Sequence, residues 1–153
     1  MDKNIVAVDF FCGAGGMTSG LNKAGINVIA GIDVDLDCKA TYEYNNPESL
    51  FIHSDIYKLS EKELENITGI KRNQDNTLFI ACSPCQYWSN INTDKNKSSK
   101  TKDLLSSFQR FIDYFKPEYI IVENVPGIYK KRDENSLGKF LDFIETINYT
   151  YSH

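Results

Sequence analysis

The chain has 153 residues, 41% hydrophobic and 12% aromatic, enough for one domain with a real core and too few for two. Its formal net charge of -4 argues against a free-standing nucleic-acid binder, since neutralising phosphates takes clustered Lys and Arg. No run approaches the roughly 18 uninterrupted apolar residues of a membrane span, and the N-terminus lacks the basic-then-apolar pattern of a signal peptide, so a cytoplasmic protein is expected.

Along the chain, short apolar runs alternate with helical patterns. "NIVAVDFF" (4 to 11) reads as a buried strand that ends at the glycine-rich "CGAGG". "TSGLNKAG" follows as a short helix stopped by Gly25, with Thr18 or Ser19 as its expected cap. "NVIAGID" (27 to 33) is a second strand, "LDCKATYEYNNP" a helix that must end before Pro47, and "LFIHSD" a shorter third strand. Ser60 and Glu63 have the spacing of a capping box, and "TLFIAC" (77 to 82) is another buried strand.

Leu104, Leu105, Phe108, Phe111, Ile112 and Phe115 recur at three- and four-residue spacing, the stripe of an amphipathic helix covering a sheet, with Pro117 ending it. "EYIIVEN" (118 to 124) is a fifth strand, and Leu137, Phe140, Leu141 and Ile144 mark a last helix. Strands alternating with helices in this way predict an α/β fold: a mostly parallel sheet, helices on both faces, and ligands bound at the carboxyl ends of the strands.

The chemically suggestive residues fall at those ends. Gly13, Gly15 and Gly16 follow the first strand, where a tight turn lets backbone N–H groups approach a ligand. Asp33 closes the second strand, twenty residues after Gly13, the spacing at which an acid in this architecture accepts hydrogen bonds from an adenosine ribose. NAD and S-adenosylmethionine both fit that ligand class. The glycines do not follow G-x-G-x-x-G, whose sixth position holds Thr18, and this lowers NAD.

Four cysteines, at 12, 38, 82 and 85, argue for reduced thiols when no export signal accompanies them. Cys82-Ser83-Pro84-Cys85 has the spacing of a redox dithiol, while Cys85-Gln86 after a proline looks like a nucleophile. Zinc is the weaker reading, because His53 and His153 are isolated from that pair, and no metal site is expected. Cys85 follows strand four and Glu123 ends strand five, so the fold brings thiol and carboxylate to one rim. Such a pair suits covalent attack on a heteroaromatic ring, with the carboxylic acid hydrogen-bonding or protonating a ring nitrogen. The plainer alternative for Glu123 is a turn cap. Lys95, Lys97, Lys100 and Lys102, and "KKRDE" at 130 to 134, are basic runs whose plainer reading is a solvated loop.

"DFFCGAGGMTSG" (9 to 20), "GIDVD" (31 to 35), "HSDI" (53 to 56), "SPCQYWS" (83 to 89) and "IVENVPGI" (121 to 128) together resemble, in order and spacing, the motifs of DNA cytosine-5 methyltransferases. The resemblance implies a Rossmann-like, S-adenosylmethionine-dependent methyltransferase fold. It implies that Cys85 is the nucleophile and Cys82 incidental, with Pro84 shaping the turn and Gln86 completing the Pro-Cys-Gln motif. Glu123 would hold the ring nitrogen and exocyclic amine of a cytosine flipped out of double-stranded DNA, with Asn124 and Val125 completing that motif.

On the cofactor side, the resemblance places Phe11 against the adenine and Gly13, Ala14 and Gly15 along the methionine end. Asp33 is similar to the ribose-binding acid, Val34 to an apolar wall, and Asp55, next to Ile56, to the acid that meets the adenine amine. Leu104 falls at an apolar cofactor contact. Ser89 and the lysines after it match a mobile loop that closes over DNA.

Two departures stand out. Where many members place an Arg before the cofactor-contacting Leu, this chain reads Thr101-Lys102-Asp103-Leu104, and after "NYTYSH" none of the family's later motifs follow. Residues 1 to 153 are therefore expected to form one partial, truncated catalytic domain, without the target-recognition region and C-terminal motifs. The expected function is the N-terminal catalytic part of such an enzyme, in a bacterial or phage-like restriction-modification setting, dependent on a second, complementing chain. The alternatives are a non-catalytic cofactor-binding fragment and, behind it, a CxxC redox protein.

Overall fold

A computed structural model describes residues 4–82, 104–124 and 136–152. Five strands, β1 (Val6–Phe10), β2 (Asn27–Asp33), β3 (Leu50–His53), β4 (Thr77–Cys82) and β5 (Tyr119–Glu123), form one sheet in the order β3-β2-β1-β4-β5. Every neighbouring pair is parallel. The chain builds outward from β1 to β3, then returns to the other side of β1 for β4 and β5. The strand order therefore reverses between β1 and β4, and in open sheets of this kind ligands bind outside the carboxyl ends of the strands at such a switch point.

Parallel strands buried on both faces need apolar side chains in both directions, and β1 and β4 supply them. Val8, Phe10, Ala30, Ile32, Phe79 and Ala81 point into the main core. There they meet Leu64 of α3 (Glu61–Thr68), the full apolar stripe of α4 (Leu104–Phe115) and Leu137, Phe140 and Ile144 of α5 (Ser136–Thr146). Phe10 anchors this layer, its ring centre 4.9 to 5.2 Å from those of Phe79, Phe108 and Phe111. On the opposite face Ala7, Val28, Leu78 and Ile80 pack under Met17 and Leu21 of α1 (Gly16–Lys23). Tyr42 of α2 (Lys39–Asn45) is buried with Phe51 and Cys12. The expected α/β architecture with helices on both faces is what the chain adopts. Among the described residues no helix is long and apolar enough to cross a membrane.

Local chemistry explains most boundaries. Ser60 and Glu63 form the expected capping box, with side chain and backbone satisfying each other in both directions. Helix α2 ends at Asn45, ahead of Pro47, but its start differs from expectation: Leu36–Cys38 form a separate 3-10 turn that Asp35 caps through the Asp37 N–H. The cap of α1 is a correction. The helix begins at Gly16 behind a left-handed Gly15, with no side chain capping it. Thr18, the expected cap, is fully buried, and its hydroxyl donates to Asp9 Oδ2 at 2.7 Å. Ser19 donates to Asn46 Oδ1 at 2.8 Å. Both hydroxyls are drawn to partners on other elements.

Candidate active site at the carboxyl rim of the sheet

The glycine turn after β1 is built from left-handed backbone. Phe11, Gly13 and Gly15 have φ values of 63°, 50° and 86°. For Phe11 this is an uncommon conformation for a residue with a side chain, held by the Cys12 N–H to Ile32 carbonyl bond at 3.1 Å and by Gly15 N–H to the Cys12 carbonyl at 2.9 Å. The turn then meets β2 directly: the Gly13 N–H donates to Asp33 Oδ2 at 2.8 Å, across a sequence separation of 20 residues. Asp33 Oδ1 accepts from the Asp35 N–H at 2.9 Å. Each carboxylate oxygen has a second lone pair, so a half-buried acceptor remains for hydroxyl groups outside the strand ends.

The same rim continues through β3. His53 is in register with Asp33, and the Ser54 N–H donates to the Asp33 carbonyl at 2.9 Å, which brings Asp55 to the end of β2. Asp55 Oδ1 accepts from the Tyr57 N–H at 3.0 Å, holding the next turn. Val34 is 64% exposed, an apolar side chain without protein cover beside Asp33, and Ala14 is exposed as well. Open space above Gly13, where an added Cβ would touch nothing within 4 Å, completes a cradle whose acid and apolar wall fit an adenosine-containing cofactor. Ile56 and Leu104 differ from these: their side chains belong to the main core.

On the other side of the switch point, Cys82 and Glu123 are register partners at the ends of β4 and β5. Glu123 is exposed and Asn124 half-buried. Pro84, Cys85, Gln86, Ser89, Val125 and the two basic runs lie outside the described residues. Of the described thiols, Cys12 stands nearest the glycine turn. Burial and the carboxylates of Asp9 and Asp33 push its thiol well above the ordinary cysteine range, so it does not supply a thiolate. Desolvation, then Asp35 and Asp33, raise Cys38 too. Among the described residues no group of three His, Cys, Asp or Glu could hold a metal ion.

Behind the turn lies a polar layer that sequence reading did not single out. The Tyr42 hydroxyl lies 3.3 Å from Thr18 Oγ1, whose proton goes to Asp9, giving a relay from Tyr42 through Thr18 to Asp9. Asp9 is fully buried, its Oδ1 has no partner, and burial raises its carboxyl from 3.8 to about 6. Tyr42 is likewise pushed up to about 12 by burial. The Tyr42 ring fills the space above two glycines: a Cβ on Gly31 would come within 2.5 Å of Cζ, and one on Gly15 within 2.7 Å of Cδ2. The Asn46 amide adds a 3.4 Å bond to the Gly15 carbonyl. One signal was available for Asp9, a lone charged residue inside the apolar run "VAVDFF". Tyr42 carried none.

The family model for C-5 cytosine-specific DNA methylases matches residues 5–153. A type II methylase of Herpetosiphon aurantiacus, M.HgiDII, is 35% identical over 146 residues, covering 95% of this chain and 40% of that protein. The type II methyltransferase M.XorII of Xanthomonas oryzae is 28% identical over 142 residues, covering 93% of this chain and 31% of its own length. The chain thus spans about 30 to 40% of these relatives. An E. coli prophage protein assigned as a DNA modification methyltransferase shares the fold, with a TM-score of 0.75 at 23% identity over 94% of this chain and 38% of that one. With the matched model covering nearly its whole length, the chain belongs to the C-5 cytosine-specific DNA methylase family.

Proposed function

We propose that this chain is the cofactor-binding and nucleophile-bearing part of a DNA cytosine-5 methyltransferase, working with a second chain that carries target recognition. The observation that carries the reading is the Gly13 to Asp33 hydrogen bond, which joins a left-handed glycine turn to an acid at the sheet's switch point. Family membership supports the chemistry. The names of the type II relatives support a role in bacterial restriction and modification.

S-adenosylmethionine supplies the methyl group. Asp33 would accept from its ribose hydroxyls, Phe11 and Val34 would flank its adenine, Asp55 with Ile56 beside it would receive the adenine amine, and the Gly13-Ala14-Gly15 turn would line its methionine end, the open space lying at Gly13. Leu104 backs the pocket from α4. The substrate is a cytosine flipped from double-stranded DNA. The Cys85 thiolate, in the Pro84-Cys85-Gln86 motif, adds to ring carbon 6 and makes carbon 5 electron-rich, the position to which the bound cofactor would give its methyl group, its sulfonium leaving as the neutral thioether. Glu123, in its motif with Asn124 and Val125, holds the ring nitrogen and amine, making the ring a better electrophile for the thiolate. Loss of the carbon 5 proton and departure of the thiolate restore the aromatic ring. Ser89 and the lysines that follow would contact the DNA phosphates.

DNA bearing 5-fluorocytosine, mixed with the chain, S-adenosylmethionine and a complementing chain, should trap a covalent adduct at Cys85, because fluorine cannot leave as the proton does. Cys85→Ser should lose the adduct and retain cofactor binding; a Cys85→Ser variant that still methylates would sink the proposal. A second reading, a cofactor-binding module with no turnover of its own, draws on the clustering of the described site groups at the ends of β1, β2 and β3. Methylation by any combination of chains would exclude it.

A further inference from the structure

Arg110, midway along α4, reaches across to the turn after β3. Its Nη1 pairs with Glu61 Oε1 at 2.6 Å, and its Nη2 donates to the carbonyls of both Ile56 and Leu59. The guanidinium carbon stands 4.3 Å from the centre of the Phe111 ring. The turn it grips is the one that presents Asp55. The Asp55 carbonyl accepts from the Lys58 and Leu59 N–H groups at 2.8 and 3.0 Å, and its side chain accepts from Tyr57 N–H at 3.0 Å. Asp55 thus closes one end of a single helical turn and Arg110 closes the other.

Ile56 and Leu59 are seated in the main core, but apolar seating is not directional. The fixed fork of a guanidinium is, and it alone among cationic side chains can satisfy two carbonyls and a carboxylate in one plane. We propose that Arg110 is a positioning residue for purine recognition: by fixing the orientation of the Asp55 turn it sets the preference for a 6-amino over a 6-oxo purine. The inference rests on the cofactor reading above, in which Asp55 receives the adenine amine. It adds a residue far from the ligand that decides how well that amine is read.

Calorimetric binding of S-adenosylhomocysteine and of S-inosylhomocysteine, which differ at the purine 6 position and in the N1 proton that the 6-oxo form carries, tests this on the full chain. One charge-assisted hydrogen bond lost, with an acceptor turned toward an acceptor, predicts that the wild type prefers the adenine compound by roughly tenfold or more. Arg110→Lys, which keeps the charge and loses the fork, should bring that ratio to about twofold or less, as should Arg110→Ala. Glu61→Gln, which leaves the carbonyl contacts in place, should keep most of the preference. A residue that only stabilises the fold would weaken both ligands alike and leave the ratio unchanged, so an unchanged ratio in folded Arg110→Lys overturns the proposal. If Arg110→Ala does not fold, the ratio in Arg110→Lys decides. A wild type that binds both compounds equally also overturns the proposal while leaving the cofactor reading intact. A wild type that binds neither defeats the cofactor reading, and the proposal with it.

Discussion

Gly31→Ala is the sharpest probe of the layer behind the site, because two effects of opposite sign meet there. Alanine in place of glycine within a strand ordinarily stabilises by about 0.5 to 1 kcal/mol, since less backbone freedom is lost on folding. Here the added Cβ would lie 2.5 Å from Tyr42 Cζ and 2.6 Å from Cε2. The ring cannot step aside: it is fully buried, its centre is 5.4 Å from that of Phe51, and its hydroxyl is engaged with Thr18. Overpacking a closed site costs about 1 to 3 kcal/mol, so a net loss of roughly 1 to 2 kcal/mol is expected, a fall in Tm of about 2 to 8 °C. Urea and thermal unfolding measure it. Tyr42→Phe removes the hydroxyl contact but leaves Cζ and Cε2 in place, so it should relieve the clash only in part. Tyr42→Leu should relieve it, giving a coupling energy of about 1 kcal/mol in a double-mutant cycle. Gly31→Ala as stable as the wild type, or more so, would refute the argued role of Tyr42.

Two further predictions concern charge and capping. Asp9, raised from 3.8 to about 6, favours its protonated form in the folded state, so its contribution is fully present below pH 3.8 and lost as the pH rises through about 6. Burial is the cause, opposed by Thr18 and reinforced by Asp33. Compared with the wild type, Asp9→Asn should lack that decline, a difference on the order of 2 kcal/mol between pH 4 and pH 7 in urea unfolding; parallel pH profiles would contradict it. Ser60→Ala removes the acceptor for the Glu63 N–H and the hydroxyl bond to Glu63 Oε2, and should cost about 1 kcal/mol of stability. An unchanged unfolding midpoint would show that the capping box contributes nothing.

The strands and the long helix could be read because their signal is local. "TLFIAC" and the Leu104 to Phe115 stripe carry their periodicity in adjacent residues, and β4 and α4 appear where those patterns lie. The capping box was legible for the same reason: both partners sit within one helical turn. So was the placing of the glycine turn and Asp33 at neighbouring strand ends, since the spacing of a strand-turn-helix-strand unit carries it, though the direct Gly13 to Asp33 hydrogen bond was not. What failed depended on tertiary partners. A hydroxyl near a helix start is an ordinary cap, but a buried carboxylate at Asp9 offers Thr18 a stronger partner, and the cap passes to Gly15. The need for glycine at 31 comes from a tyrosine eleven residues on, and the grip of Arg110 spans 49 to 54 positions; neither leaves a pattern in the chain.

If the turn after β1 and the acid after β2 form a cofactor site, calorimetric titration of S-adenosylmethionine into the purified chain, with NAD as control and Asp33→Ala as the site variant, should show saturable binding of S-adenosylmethionine, none of NAD, and loss of binding in a folded Asp33→Ala chain. Binding that survives Asp33→Ala, or a folded wild-type chain that binds nothing, would contradict that assignment.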